Sequence, residues 1–327
     1  MTDRRQFIQS IAALAAAAMA PPLSFAEAAE KKKDRLGDWL PTRPLGKTGE
    51  AVTMLGIGGY HFGDASEKDA QELMEAALEG GVRFFDNAVQ YQNGGSEERM
   101  GKLLTPKYRD VIFLMTKSTE KTGEKALQDL ENSLRRLKTE YVDLWQIHGL
   151  ESPEDADERL ANGVLDTALK AKESGKVRHI GFTGHMTYKA HLRMLERTKE
   201  NNPFSTCQMP INVIDPSYES FSLNVLPQLT ECGIGALAMK TLAFGRLITI
   251  GKEGSRVIPD RLSVEEALHF VWSLPISCLI TGAVSAKEIK EKIAYARSFS
   301  AMDKEKREKL IAKVSDLAGK EREWYKA

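Results

Sequence analysis

Four side chains that could move a proton stand at or near the ends of three successive apolar runs. Asp86 ends the first run, and Tyr91 follows five residues later in the stretch FFDNAVQYQNGGSEERMGKLL. Lys117 ends VIFLMTK, and His148 ends YVDLWQIH. A nearby ammonium favours ionisation of a phenol, whose ordinary pKa is about 10, and a carboxylate can hold that ammonium in place. With a histidine to orient an oxygen, this set predicts proton transfer during reduction of a carbonyl group, with hydride from a bound carrier.

Each of these residues has an ordinary explanation when it is taken alone. Asp86 could cap a helix, Tyr91 could be a half-buried aromatic residue, and Lys117 could end a strand in solvent. Their occurrence at consecutive strand ends favours a shared site, because barrel enzymes place their chemistry at the carboxyl ends of the strands.

The pattern between these residues predicts alternating strands and helices. Eight short apolar runs are expected as strands: Met54–Gly59, Val82–Asn87, Val111–Lys117, Val142–His148, His179–Thr183, Ser205–Pro210, Ile234–Lys240 and Ile276–Gly282. Amphipathic segments near 67–79, 96–104, 123–137, 161–174, 187–199, 222–232, 263–274 and 286–297 are expected as helices. Eight strand–helix repeats favour an α/β fold of the (β/α)8 TIM-barrel type, preceded by a hairpin around Thr48-Gly49.

A doubly wound sheet is the competing architecture. It would need a glycine fingerprint directly after its first strand. The segment GIGGYH at 56–61 has His61 where the third glycine belongs, and the glycines of GIGALA at 233–238 precede a strand instead of following one. Neither segment has the context that a dinucleotide fingerprint requires.

Composition excludes several classes of protein. The 327 residues carry 46 basic and 46 acidic side chains, so no charge excess favours nucleic acid or a membrane surface as a partner. The three cysteines, Cys207, Cys232 and Cys278, are scattered and form no CxxC pair. Neither a disulfide framework nor a metal site is therefore expected.

The first segment is expected to be an export signal. Arg4-Arg5 precedes an alanine-rich apolar stretch, and small residues around Ser24 and Ala26 suit a signal peptidase. This order resembles a twin-arginine signal, and the apolar stretch is too short for a stable membrane span. The predicted organisation is a signal peptide at 1–26, a linker at 27–40, a barrel at 41–300 and a C-terminal helical extension at 301–327. The protein is expected to pass through the export machinery to the periplasm.

From about 41 to 300 the chain resembles the aldo-keto reductase family. The motifs that carry the resemblance are RPLGKTGEAVTMLGIGG, the Asp-x-x-x-x-Tyr segment with its following Ser-Glu, and VDLWQIHGL. The resemblance implies that Tyr91 is the general acid and base, that Lys117 and Asp86 tune it, and that His148 orients a small-molecule carbonyl or alcohol.

The resemblance also implies a nicotinamide dinucleotide, NADP or NAD, extended across the rim, with NADP as the family default. Gln208 would hold the carboxamide, and the segments 239–247 and 281–292 would contact the pyrophosphate and the adenosine. The residues expected to bind the cofactor are Gly59, Tyr60, Thr183, Gln208, Met239, Lys240, Leu242, Gly245, Ser285, Lys287, Glu288 and Glu291.

Four departures from the family pattern concern the cofactor. Thr183-Gly184 stands where many relatives have Ser-Asn, and Met239 stands where an aromatic residue often stacks on the nicotinamide. Glu288 stands where an arginine often contacts the 2′-phosphate, and Lys240 is an extra cation that could reach the pyrophosphate. These changes leave a second interpretation open, a non-catalytic nucleotide-binding sensor or interaction module on the same barrel.

Overall fold

The chain forms a closed barrel of eight parallel strands surrounded by helices. The computed structural model describes residues 32–247, 249–250, 256–258 and 261–326. In chain order the barrel strands are β1 Leu55–Gly58, β2 Phe84–Asp86, β3 Phe113–Ser118, β4 Val142–Ile147, β5 Val177–Thr183, β6 Thr206–Pro210, β7 Gly235–Met239 and β8 Cys278–Thr281. Each strand pairs in parallel with the next, and β8 pairs with β1. The predicted (β/α)8 fold is confirmed, whereas the predicted signal peptide at 1–26 lies outside the described residues.

The inside of the barrel is a packed apolar core. Phe84 of β2 and Phe113 of β3 stack with ring centroids 4.9 Å apart, and Met115, Leu144 and Leu237 are buried in the same cluster. Because both faces of every strand are covered, these strands read as continuous apolar runs in the sequence, which is why the runs identified them.

The amino-terminal hairpin closes the bottom of the barrel. Its strands, Thr42–Pro44 and Ala51–Thr53, pair antiparallel and bury Val52 beside the barrel core. The turn requires Gly46, which has a φ of +57° and whose Cβ would lie 2.5 Å from the carbonyl oxygen of Gly233. The hairpin predicted from Thr48-Gly49 therefore closes the end of the barrel opposite to the carboxyl ends of the strands.

The helices on the outside follow the amphipathic segments closely. They are Gly59–Asp64, Glu67–Glu79, Gly95–Leu103, Thr105–Tyr108, Gly123–Leu137, Pro153–Ala161, Val164–Glu173, Tyr188–Arg197, Phe221–Asn224, Leu226–Cys232, Val264–Trp272, Ala286–Arg297 and Lys304–Val314. In Gly123–Leu137 the residues Leu130, Leu134 and Leu137 are buried as expected, but Leu127 is 42% exposed. Ala126 takes the buried place on that turn.

Several boundaries differ from the predicted ones. The segment expected as one helix at 222–232 breaks at Val225, with Pro227 in the first turn of the second helix. Between β4 and β5 an additional helix, Pro153–Ala161, precedes Val164–Glu173, and Gly163 between them has a φ of +76°. Between β7 and β8 the described residues form an antiparallel excursion of Thr249–Ile250, Arg256–Ile258 and Leu262–Ser263.

The described part of the predicted linker is structured. Lys33–Asp34 and Gly37–Asp38 form a two-stranded turn, and Leu40 is buried. The buried guanidinium of Arg83 pairs with Asp34 at 2.6 Å and also donates to the Leu78 carbonyl oxygen at 2.7 Å. The segment is held against the barrel by this ion pair, which sequence spacing does not reveal.

The predicted C-terminal helical extension is only partly helical. Lys304–Val314 is a helix, and Ser315–Leu317 is a single 3-10 turn. The following residues run back across the barrel, where Lys326 Nζ lies 2.7 Å from both Asp215 Oδ1 and Glu323 Oε1. All three side chains are fully buried, so this ion-pair cluster fixes the tail at the rim. Among the described residues no helix is long and apolar enough to cross a membrane.

Candidate active site

The carboxyl ends of the strands surround a cavity of about 570 Å³. Asp86, Tyr91 and His148 line it, and Lys117 lies beneath them with only 1% of its surface exposed. Parallel strands in a barrel all end on the same rim, so residues 62 positions apart in sequence meet there. The four residues predicted to act together are thus brought together.

Lys117 is the centre of this group. Its ammonium lies 2.5 Å from Asp86 Oδ1, and it donates to the Asn87 carbonyl oxygen at 2.7 Å and to the Tyr91 hydroxyl at 3.1 Å. The three acceptors come from β2 and the loop after it, whereas the lysine comes from β3. A buried ammonium is tolerated only when it is paired and hydrogen-bonded, and this one has both.

The burial of the group sets its protonation states. Burial alone would lower the pKa of Lys117, but the Asp86 carboxylate and the Tyr91 hydroxyl outweigh it and raise the pKa above 10.5. Burial raises the pKa of Tyr91, and the Lys117 ammonium offsets only part of that rise. Lys117 thus favours ionisation of Tyr91 in the expected direction, but burial has the larger effect on the pKa and the phenol stays protonated at neutral pH. Burial also raises the pKa of Asp86, against the opposing effect of Lys117, and the short ion pair keeps the two charges together.

The loop between Asp86 and Tyr91 is held by buried hydrogen bonds from the helix that follows it. Ser96 Oγ donates to the Gly59 carbonyl oxygen at 2.8 Å. Glu97, fully buried, accepts from the Thr116 hydroxyl at 2.5 Å and pairs with Arg136 at 2.6 Å. The Ser-Glu pair noted in the sequence therefore ties the tyrosine loop to the ends of neighbouring strands.

His148 is neutral, because burial and then the Lys117 ammonium hold its pKa well below 6.5. Its Nδ1 lies 3.0 Å from Oε1 of Gln90, whose Nε2 donates to the Thr119 hydroxyl. In this arrangement Nδ1 carries the proton and Nε2 is an acceptor. Rotation of the Gln90 amide by 180° exchanges its oxygen and nitrogen. An amide N–H then faces Nδ1 of His148, and the imidazole proton is on Nε2. Gln90 was not identified from the sequence, yet it decides which nitrogen His148 offers.

The same cavity contains groups that suit a nicotinamide dinucleotide. Gln208 lines it, and its buried Oε1 accepts no hydrogen bond from the described residues. An orphaned amide oxygen beside the proton-transfer group fits the amino group of a nicotinamide carboxamide. The other predicted cofactor residues that line the cavity are Tyr60, Met239, Lys240, Leu242, Gly245 and Glu288.

Five predicted cofactor residues do not line the cavity. Gly59 packs under β2, where a Cβ would come within 2.5 Å of the Asp86 carbonyl oxygen. Thr183 is 1% exposed, and the Ser285 hydroxyl caps its own helix by accepting from Glu288 N at 3.3 Å. Lys287 and Glu291 are exposed, because on this helix Glu288 and Lys292 share the inward face.

Other residues of the rim escaped the sequence reasoning. His61, His185, Phe244, Lys292 and Trp324 all line the cavity. Phe244 packs edge-on against Tyr60, with ring centroids 5.8 Å apart, and against Trp324 at 6.0 Å. Trp324 reaches the site only because the tail folds back, and no local pattern could have placed it there. Within the described ranges no cluster of metal-binding side chains occurs.

A (β/α)8 barrel with a buried Asp–Lys–Tyr group and a neutral histidine at the carboxyl rim places an acid, a cation and a hydrogen-bonding ring at one cavity, a set suited to an oxidoreductase. The model of the Aldo/keto reductase family matches residues 54–312, and the chain belongs to that family. It is accordingly an NAD(P)H-dependent oxidoreductase.

Two curated relatives illustrate the similarity. The chain is 27% identical over 294 residues to L-galactose dehydrogenase of Arabidopsis thaliana, covering 80% of this chain and 89% of the relative. It is 30% identical over 227 residues to the uncharacterized oxidoreductase YrpG of Bacillus subtilis, covering 62% and 67%. The holo form of aldo-keto reductase AKR11C1 from Bacillus halodurans shares the fold with a TM-score of 0.72 at 21% identity, covering 87% of this chain and 99% of that one.

The contact between Gln90 and His148 leads to a prediction. Gln90→Glu places a carboxylate against Nδ1, which favours the imidazolium, so the pKa of His148 should rise by about one unit or more. The pKa and the protonated nitrogen are read from the ¹⁵N shifts of the His148 ring during a pH titration.

Gln90→Met is the matched control for this titration. It removes the hydrogen bond without adding charge, and the pKa of His148 should stay low. An unchanged pKa in Gln90→Glu would show that Gln90 does not contact the ring in solution.

Proposed function

We propose that this oxidoreductase interconverts a small aldehyde, ketone or sugar and the corresponding alcohol, with Tyr91 as the general acid and base. One observation carries the proposal: Tyr91 lines the cavity, and its hydroxyl lies 3.1 Å from the buried ammonium of Lys117. When bound, a reduced nicotinamide supplies the hydride. Gln208, Met239 and Tyr60 are the residues that would hold it.

Tyr91 is suited to give its proton to the carbonyl oxygen. Burial raises its pKa, so it is protonated before the reaction. As the proton leaves, the buried Lys117 ammonium stabilises the developing phenolate across 3.1 Å. Asp86 holds the ammonium at 2.5 Å and keeps it from moving toward solvent. In the direction of alcohol oxidation the same pair supports the phenolate as a base.

His148 orients the substrate instead of carrying charge. Burial and Lys117 keep it neutral at physiological pH, and its ring stands edge-on to that of Tyr91 with centroids 6.1 Å apart. A neutral ring can donate to a carbonyl oxygen from Nε2 or accept from a substrate hydroxyl, depending on Gln90. Aldehydes and hydroxy-carbonyl compounds such as sugars both fit this property. The relative named L-galactose dehydrogenase is consistent with the second class.

The role of Tyr91 is tested by Tyr91→Phe, which keeps the ring and removes the hydroxyl. Turnover of a generic aldehyde should fall by at least about 100-fold, as expected when a general acid is removed, while the Kd of the reduced cofactor changes little. Single-turnover rates and a fluorescence titration measure the two quantities. A variant with native turnover would remove Tyr91 from this role. A native protein that binds cofactor but reduces no carbonyl compound would favour the non-catalytic interpretation.

For the cofactor, we propose that NADH binds at least as well as NADPH, although NADP is the family default. Glu288 lines the cavity and its carboxylate accepts from Val284 N at 3.3 Å, whereas Lys287 is exposed. A carboxylate on the inward face repels the 2′-phosphate. Lys292 is also on that face, and its ammonium donates to the Gly282 carbonyl oxygen.

Glu288→Arg should therefore shift the preference toward NADPH. Replacing repulsion by a bidentate contact is worth ~2 kcal/mol, or roughly thirtyfold in the ratio of the two Kd values. Fluorescence titrations with both reduced cofactors measure the ratio, and Glu291→Arg adds the same charge on the exposed side of the helix as a control. Equal ratios in the native protein and Glu288→Arg would show that Glu288 does not face the adenosine ribose.

We also propose that the protein is exported to the periplasm with its cofactor already bound. Support comes from the sequence alone, since Arg4, Arg5 and the apolar stretch lie outside the described residues. A twin-arginine route carries folded proteins, which would let a nicotinamide cofactor travel in its site.

Replacing both Arg4 and Arg5 by lysine keeps the charge and removes the paired guanidinium groups. We expect the uncleaved precursor to accumulate in the cytoplasm, as measured by cell fractionation and by mass spectrometry of the mature amino terminus. Export at the native level would show that the two arginines are incidental.

A further inference from the structure

Lys240 is a cation of the cavity with no acidic partner in the part of the chain that the structure describes. It follows β7 directly and lines the cavity. Its Nζ lies 4.2 Å from the centroid of the Phe244 ring and 5.7 Å from that of Tyr325. Aromatic faces attract an ammonium, but they neutralise no charge. Lys117, by contrast, is balanced by Asp86.

The backbone holds Lys240 in an unusual conformation. Its φ is +58°, in the left-handed region that a residue with a Cβ occupies at a cost. The Lys240 carbonyl oxygen accepts from Ala243 N at 2.8 Å and from Asn212 Nδ2 at 3.3 Å, which fixes the turn. The side chain therefore leaves β7 in a direction that the surrounding structure imposes.

The charge of Lys240 interacts with the charged and titratable groups around Tyr91 and His148. Burial and then the charge of Lys117 lower its pKa to about 8, and Lys240 in turn lowers the pKa values of His148 and His185. Burial is the main cause of the lowered pKa of both histidines, and the charge of Lys240 adds to it. With Asp86 and Lys117 compensating each other, the ammonium of Lys240 leaves this end of the cavity positive below pH 8.

We propose that Lys240 binds an anionic group of the substrate, a carboxylate or a phosphate, and that the enzyme prefers anionic carbonyl compounds to neutral ones. The inference rests on the proposed carbonyl–alcohol activity. An ammonium in partly desolvated surroundings gains most from a ligand that restores neutrality, and a charge-assisted hydrogen bond to an oxyanion is the strongest contact open to it.

The cofactor pyrophosphate presents the same chemistry and is the alternative source of the anion. The position of Lys240 on the rim favours the substrate. Phe244, whose ring centroid lies 4.2 Å from the ammonium, packs on Tyr60, and Tyr60 packs on Tyr91 with ring centroids 5.5 Å apart. Lys240 therefore lines the part of the cavity where the carbonyl group must lie for Tyr91 to reach it. The helix Ala286–Arg297 supplies a second cation of the cavity, Lys292, one turn after Glu288.

The test compares two aldehydes of similar size that differ in charge, 4-carboxybenzaldehyde and 4-nitrobenzaldehyde. The ratio of their kcat/KM values is measured for the native enzyme, Lys240→Met and Lys240→Arg. Removal of the charge should lower the ratio of anionic to neutral substrate by about tenfold or more, and arginine should restore most of it. Kd values of the reduced cofactor are measured for the same three proteins.

The pH dependence gives a second readout with a defined sign. A lysine binds an anion while it is protonated, so the native ratio should be constant below its pKa and fall as pH rises through about 8. A bound anion raises the pKa of Lys240. The decrease should therefore occur at a higher pH for kcat, which reports the substrate complex, than for kcat/KM, which reports the enzyme without substrate. The titratable and charged groups around Lys240 are Lys117 from β3, His148 from β4, His185 after β5, His61 after β1 and Tyr325 from the tail. The histidines titrate below 6.5, and the pKa values of Lys117 and Tyr325 are raised, so none of them shares this range.

Three outcomes separate the possibilities. A selective loss with 4-carboxybenzaldehyde supports the proposal. An unchanged ratio would overturn it, and a weaker Kd for the cofactor in the same variant would assign Lys240 to the pyrophosphate. If the native enzyme reduces neither aldehyde, the proposed function fails in this assay. In that case the Kd of 4-carboxybenzaldehyde is measured by calorimetry on protein loaded with oxidised cofactor. Weaker binding to Lys240→Met supports the role of Lys240 in binding the anion, and equal affinity in the native protein and Lys240→Met overturns it.

Discussion

The ammonium of Lys117 is the interaction on which the rest of the site depends. It is 1% exposed, and it contacts a carboxylate, a backbone carbonyl and a phenol within 3.1 Å. A charge so placed is stable only if every partner arrives together. That requirement constrains the length of β2, the loop to Tyr91 and the register of β3, since the loss of one acceptor would leave a buried charge uncompensated.

The loop that carries the phenol illustrates this constraint. Gln92 and Asn93 have left-handed φ values of 50° and 53°, and Gly94 follows at 89°. Such a backbone is costly for residues other than glycine, and the buried hydrogen bonds of Ser96 and Glu97 help to hold it. The buried hydrogen bonds of Ser96 and Glu97 thus hold the loop in the conformation that keeps the Tyr91 hydroxyl within hydrogen-bonding distance of Lys117.

The electrostatics of the cavity follow from burial more than from individual pairs. His148 and His185 are neutral because they are desolvated among cations, and Tyr91 keeps its proton because burial outweighs the opposing effect of the Lys117 ammonium. Because the charges of Asp86 and Lys117 balance each other, Lys240 supplies the remaining positive charge near Tyr91 and His148. The aromatic residues Tyr60, Phe244 and Trp324 pack edge-on against one another at the cavity. Fixed charges beneath such a site are the condition under which a weak acid such as a tyrosine can act at neutral pH.

The sequence by itself determined the barrel and the meeting of Asp86, Tyr91, Lys117 and His148 at one rim. Strands buried on both faces must be apolar runs, and parallel strands must end on one rim, so strand-end residues such as Lys117 and His148 could be placed together without coordinates. Contacts between distant segments depended on tertiary structure. Arg83 binding Asp34, the return of Trp324 to the cavity and the inward turn of Glu288 rather than Lys287 arise from packing, which leaves no periodic signal. The net rise in the pKa of Tyr91 was likewise decided by burial, because desolvation depends on all surrounding atoms and not on the one charged neighbour that a motif reveals.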